Sequence, residues 1–168
     1  GLGDVYKRQL QYLVRQSTKS GEKGSNREEV EFKRRVLTRL QALFKKYPAE
    51  LTRSYLYSDK TLVEKYSNWN EALQVARTVG ATLIERDGQI VGIRIDSLPE
   101  DSPLREYVGL QPGDVITSIC GELPQARSEA EMVREAKALF DRLRGQDTLY
   151  LEIKRAGRPM LITIHFQR

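Results

Sequence analysis

The chain has 168 residues, 39% of them hydrophobic and 30% charged, with a net charge of +5. That length holds one core plus an extension, and the composition is that of a folded globular chain. The basic excess is too small, and too mixed with Glu, to argue for nucleic acid. A lone cysteine excludes an internal disulfide. No stretch approaches the about 20 apolar residues of a spanning helix.

The chain starts with Gly, and Asp4-Val5-Tyr6-Lys7-Arg8-Gln9 looks like one reading frame of the transposase adaptor used in sequencing libraries. Residues 1–9 are therefore expected to be a processing scar, which would make the chain a fragment with any membrane anchor lost upstream. Residues 10–26 read as a flexible linker. Leu10, Tyr12, Leu13 and Val14 are either the stub of a truncated membrane helix or an unstructured scrap. Gly, Ser, Lys and Glu dominate residues 16–26.

A helical extension is expected over 27–79. Ser25 with Glu28, or Asn26 with Glu29, makes a capping box. Val30, Val36, Leu37, Leu40, Leu43, Phe44 and Tyr47 give an apolar stripe at helical spacing, closed by Pro48. Arg34, Arg35, Arg39, Lys45 and Lys46 lie mostly off that stripe. They read as a solvated face, or as a partner-docking or membrane-surface face. Leu51 to Tyr57 reads as a short extended segment. Ser58 or Asp59 caps a helix to Tyr66. Ser67 or Asn68 caps another to Arg77, with Trp69, Leu73 and Ala76 on one face and Trp69 as a core anchor.

From Gly80 onward the pattern changes to strands. Thr82 to Arg86 and Ile90 to Leu98 flank Asp87-Gly88, a strong hairpin dipeptide. Ser102-Pro103 reads as an N-cap with Pro at the first helical position. Gly109 reads as the left-handed residue that stops that helix. Pro112 and Gly113 fit the two central positions of a type II turn, followed by Asp114 and an apolar strand from Val115 to Ile119. Ser128 caps a helix to Leu143, with Glu131 completing its box and Val133, Ala136, Phe140 and Leu143 facing in. Thr148 to Lys154 alternates, as do Leu161 to Phe166, with His165 at an edge or surface position. The fold class is α+β: about five antiparallel strands in a small, partly closed sheet, with two helices, after the helical extension.

Catalytic chemistry finds little support. Cys120 has no base partner in sequence and suits a small buried hydrophobe. One His and one Cys give no zinc spacing. There is no nucleophile-elbow or phosphate-loop motif. No enzyme activity, cofactor or metal is expected.

The order Val91-Gly92-Ile93-Arg94-Ile95, Glu100-Asp101-Ser102-Pro103-Leu104, Gly109 to Ile116 and Ile119-Cys120-Gly121 resembles the PDZ family, over roughly Gly80 to Arg168. Cys120 stands where that family usually has Asn. The prelude sharpens the resemblance. Thr52-Arg53-Ser54, Glu71-Ala72-Leu73-Gln74-Val75-Ala76-Arg77, the strand to Arg86, Asp87-Gly88 and Gly92-Ile93-Arg94-Ile95 are similar to the inner-membrane component C of the bacterial type II secretion system. Gly80-Ala81 replaces a position where that component often has Pro.

The resemblance implies a periplasmic, non-catalytic domain of an inner-membrane protein. It would bind a peptide or protein, either secreted cargo or other secretion components, by strand addition, with no nucleic acid. The strand of Gln89, Ile90, Val91, Gly92, Ile93, Arg94 and Ile95 would offer a free edge. Met132, Val133, Ala136 and Phe140 would form the facing helix wall, unless these apolar residues only fill the core. The Asp87-Gly88-Gln89 loop lies where a terminal carboxylate can be caught, although Asp87 repels one. Gly109, Pro112, Gly113 and Asp114 are structural. The alternative is the peptide-binding domain of an envelope serine protease or site-2-type protease, with its catalytic domain missing. A third reading is a stand-alone adaptor that docks its partner through the basic helix from Arg27 to Lys46.

Overall fold

The computed structural model describes Arg8, Gln11, Tyr12, Arg15 and residues 27–167. Apart from those four residues, the expected scar at 1–9 and linker at 10–26 lie outside the described residues, as do the Ser25 and Asn26 capping positions.

Helix α1 (Arg27–Lys46) buries Phe32, Val36, Leu37, Leu40, Leu43 and Phe44. That is the expected stripe with Phe32 added and Val30 half-buried. A 3-10 turn over Ala49–Leu51 leads into β1 (Thr52–Tyr57). Asp59 caps α2 (Lys60–Tyr66), and Asn68 caps α3 (Trp69–Arg77), each accepting from two backbone N–H groups. The hairpin β2 (Gly80–Arg86) and β3 (Gln89–Ser97) turns through Asp87 and Gly88 at φ 52° and 77°. Helix α4 (Pro103–Glu106) takes its cap from Ser102, as the Ser-Pro pair predicts. Strand β4 (Val115–Ile119), helix α5 (Glu129–Leu143) and strands β5 (Thr148–Arg155) and β6 (Arg158–Phe166) complete the chain. Ser128 caps α5, while the Glu131 carboxylate accepts from the Arg127 N–H at 3.3 Å.

The architecture is α+β, built on a six-stranded open sheet in the order β1-β6-β5-β4-β3-β2. There are six strands, not five. The sheet is open, not partly closed. It is not purely antiparallel, because β1 pairs in parallel with β6 from Thr52↔Leu161 to Tyr57↔Phe166. A parallel pair needs a long crossover. Here the crossover is everything between residues 57 and 158, which local pattern cannot reveal.

The sheet is covered on both faces. Helix α1 lies against the face carrying Tyr150 and Leu161, and Phe32, Leu40, Phe44 and Tyr47 form one core cluster with them. The opposite face carries Ile153, Met160, Ile162 and Ile164, packed with Ile95, Leu98 and Leu110. Residues 27–79 thus supply side chains to the same cores as residues 80–168.

The α1 face also carries a row of buried polar groups. Thr163 Oγ1 donates to Ser54 Oγ at 2.8 Å, and Thr148 Oγ1 lies 2.8 Å from His165 Nδ1. The alternation in sequence puts His165 at an edge or surface. It is buried instead, because β6 is an interior strand and α1 covers it. Burial lowers its pKa; Asp147 opposes this and Lys33 adds to it. The unfolded chain therefore binds the proton more readily. The neutral ring's contribution is full above the ordinary 6.5 and is lost as pH falls towards the lowered folded value. Urea midpoints should fall between about pH 7.5 and about pH 5, less steeply in His165→Gln. Parallel slopes in the two proteins would rule this out.

Candidate functional site

The turn that marks the domain is built as the residues demand. The Asp114 N–H donates to the Gln111 carbonyl at 3.1 Å, closing a turn with Pro112 and Gly113 at its centre. Gly113 has φ 93° and Gly109 φ 76°, both in the region that disfavours side chains. A Cβ on Gly109 would also collide with the Tyr55 hydroxyl. Asp114 is buried, accepts the Gln111 N–H at 2.8 Å and grips Arg155 through two bonds of 2.9 Å. Arg155 also donates to the Gly109 carbonyl at 2.8 Å, tying the end of β5 to the turn. Those bonds to Asp114 raise the Arg155 pKa further.

The strand expected to offer a free edge is an interior strand, with β4 beside it only at Ile93 and Arg94. β3 lies between β2 and β4, with Leu83↔Ile93 on one side and Ile93↔Ile116 on the other. Where β4 does not reach, Gln125 takes over. Its Oε1 accepts the Ile90 N–H and its Nε2 donates to the Ile90 carbonyl, both at 2.8 Å. Ile90 and Ile95 are buried core residues and Gly92 is buried against Val115. Val91 is exposed, Ile93 half-buried, Gln89 exposed, and Arg94 is exposed and paired with Asp96 at 2.7 Å. The edge on this side of the sheet belongs to β2.

The loop Asp87-Gly88-Gln89 is likewise a hairpin tip. Arg127 Nη2 donates to the Gly88 carbonyl at 2.6 Å, and Arg127 Nη1 lies 3.9 Å from Glu85. Gln125 and Arg127 thus staple the segment before α5 to the hairpin. Sequence reasoning passed over both, since a polar residue in a loop carries no local sign of its distant partner.

Edge strand β2 carries Leu83 at 38% exposure beside Val91 of β3 at 36%. Both are large apolar residues that keep more than a third of their surface exposed. The register sets Leu83 opposite Ile93, and Val91 is the residue left without a partner where Ile84↔Gly92 gives way to Glu85↔Ile90. β2 also has two register irregularities, at Gly80/Ala81 and Ile84/Glu85.

The candidate helix wall is only partly inward. Met132, Val133, Ala136 and Phe140 are all half-buried, and the buried residue of α5 is Leu139. Phe140 packs on Trp69, with ring centroids 5.3 Å apart, and Lys137 lies 5.8 Å over the Trp69 ring. Trp69 is therefore a half-buried brace between α3 and α5, not a core anchor. Ala76 is exposed, and Ala72 and Val75 face inward in its place.

Beneath that brace lies an apolar cavity of ≈ 270 Å³. Leu62 and Tyr66 of α2, Ala72 and Val75 of α3, and Phe140 and Leu143 of α5 form its walls. Leu149, Ile164 and Phe166 of the sheet form its floor. The Tyr57 hydroxyl at its side donates to the Tyr107 carbonyl at 2.5 Å, and burial pushes the phenol up to about 12.

The nucleophilic and metal-ligating side chains sit elsewhere. Cys120 is buried at φ 50°, accepts the Tyr150 N–H at 3.4 Å, and burial pushes its thiol up to about 11. At neutral pH it is protonated, and it fills space between α1 and β5. Among the described residues, no group of three His, Cys, Asp or Glu side chains is placed to hold a metal.

No protein-family model matches the chain. No curated protein matches it. Among solved structures it is similar to the PDZ domain of EpsC from Vibrio cholerae, residues 204–305. The identity is 23% and the TM-score 0.41, over 63% of this chain and 92% of that one.

Proposed function

We propose that this chain is a non-catalytic protein-binding module of the PDZ type that takes an extended segment by strand addition at the free edge of β2. One observation carries the reading. The outermost strand β2 carries the exposed Leu83, and its neighbour β3 the exposed Val91, at the side of the sheet where Arg127 fixes the approach to α5. Backbone groups of β2 supply affinity to any extended chain, and the apolar pair selects bulky side chains at alternate positions.

The finer reading rests on the motif order from Thr52 to Gly121 and its resemblance to the type II secretion component C. On it, the module is the periplasmic domain of a bacterial inner-membrane protein, and its ligands are secreted cargo or other secretion components.

The test is selection of peptides from a random extended library, followed by amide exchange of the bound complex. Protection should rise across residues 81–86. Leu83→Asp should weaken binding more than about tenfold while shifting the urea midpoint little, since surface changes stay within about 0.5 kcal/mol. Protection confined to β1, or unchanged affinity in Leu83→Asp, would overturn strand addition at β2.

A further inference from the structure

The outward face of α1 lies across the sheet from the cavity, and the strand-addition reading makes no use of it. From Lys33 to Lys46 the helix contains no acidic residue. Lys33 is half-buried and lies 3.9 Å from Asp147. Arg34, Arg35, Arg39, Lys45 and Lys46 are exposed, and among the described residues none of the five forms an ion pair.

Helical spacing arranges these five in two rows. Arg34 and Lys45 lie on one line. Arg35, Arg39 and Lys46 lie on another. Thr38 and Ala42, both exposed and small, fall between them. The result is a shallow trough about 16 Å long, at about 1.5 Å per residue, with cations on both rims. Some exposed bases elsewhere are matched, as in Arg94–Asp96 and Arg142–Glu122, and others, such as Arg86 and Arg158, stand singly on different elements. Arg35 and Lys46 lie over the Phe32 and Tyr47 rings and Arg39 reaches towards Gly121, but among the described residues none of the five meets a carboxylate, and the repulsion along this face is one that an anionic partner would relieve.

We infer that this trough docks an acidic segment of a protein partner. Charge complementarity sets the sign of the partner, and the small residues at the trough floor set its shape. A membrane surface fits less well. A helix that lies on lipid inserts its apolar face, and the apolar face of α1 is spent in the core, with Leu40 at 0% exposure. No large apolar side chain on the outward arc is left to enter a bilayer.

The test uses the whole chain, poly-L-glutamate as the probe, and two charge-reversal variants. Arg34→Glu, Arg39→Glu and Lys45→Glu remove three rim cations. Arg77→Glu, Lys154→Glu and Arg158→Glu change the net charge equally at exposed positions away from α1. The rim variant should lose affinity more than about tenfold and the control less than about threefold. Wild-type binding should weaken steeply with salt. Urea midpoints confirm that both variants fold. Equal losses in the two variants would reduce the effect to net charge and overturn the proposal. So would wild-type protein that binds phosphatidylglycerol vesicles and is not displaced from them by poly-L-glutamate.

Discussion

Replacing Asp114 with alanine should lower the free energy of unfolding by about 3–5 kcal/mol, the usual cost of breaking a buried ion pair from one side. Asp114 is 1% exposed, and three of its contacts would go at once. The two 2.9 Å bonds to Arg155 hold the end of β5, and the 2.8 Å bond from Gln111 holds the turn before β4. The guanidinium would be left half-buried with only the Gly109 carbonyl. Arg155→Lys should recover little of the pair, because a point charge cannot make both bonds. Gly113→Val in the same turn isolates backbone strain. No atom lies within 4 Å of its Cβ position, so the whole effect comes from φ 93°. It should cost about 1–3 kcal/mol. Urea unfolding followed by far-UV circular dichroism measures all three. An Asp114→Ala midpoint equal to wild type would refute the central role given to this pair.

Leu40→Ala should cost about 2–5 kcal/mol, the range for removing a fully buried leucine from a packed site. Stabilities of single domains are about 5–15 kcal/mol, so the loss is a large share of the total. Leu40 has no exposed surface, and its cluster includes Tyr150 and Leu161 from the central strands. We expect α1 to belong to the cooperative unit and not to be a detachable extension. Trp69 reports the opposite side of the molecule, against Phe140. Its fluorescence and the helical signal should therefore shift together in Leu40→Ala. A variant whose helical signal melts early while the Trp69 transition stays put would show that α1 folds as a separate unit.

Local chemistry was legible without coordinates. Ser102, Asp59, Asn68 and Ser128 cap the helices they precede, because a short polar side chain satisfies N–H groups two or three residues away. Gly109, Pro112 and Gly113 announce their turns because few residues accept those dihedrals. The stripe from Val36 to Tyr47 announces which side of α1 is buried, since a helix with one apolar face has one way to hide it.

What the chain could not display was which distant segments meet. Nothing near Leu51 to Tyr57 says that it pairs with residues 161–166, and that pairing makes the sheet six-stranded and buries His165. Nothing near Ile90 says that Gln125 will bond both its backbone groups, and nothing in the hairpin says that β2 will be the outermost strand. By itself the sequence determined the caps, the turns, the inner face of α1 and the α+β class, all properties of residues within a few positions of one another. Only the tertiary structure decided the strand order, the brace of Trp69 on Phe140, the Asp114–Arg155 grip and the edge left open to a partner. Each of these depends on the free energy of contacts between segments tens of residues apart, and the residues between them do not record that term.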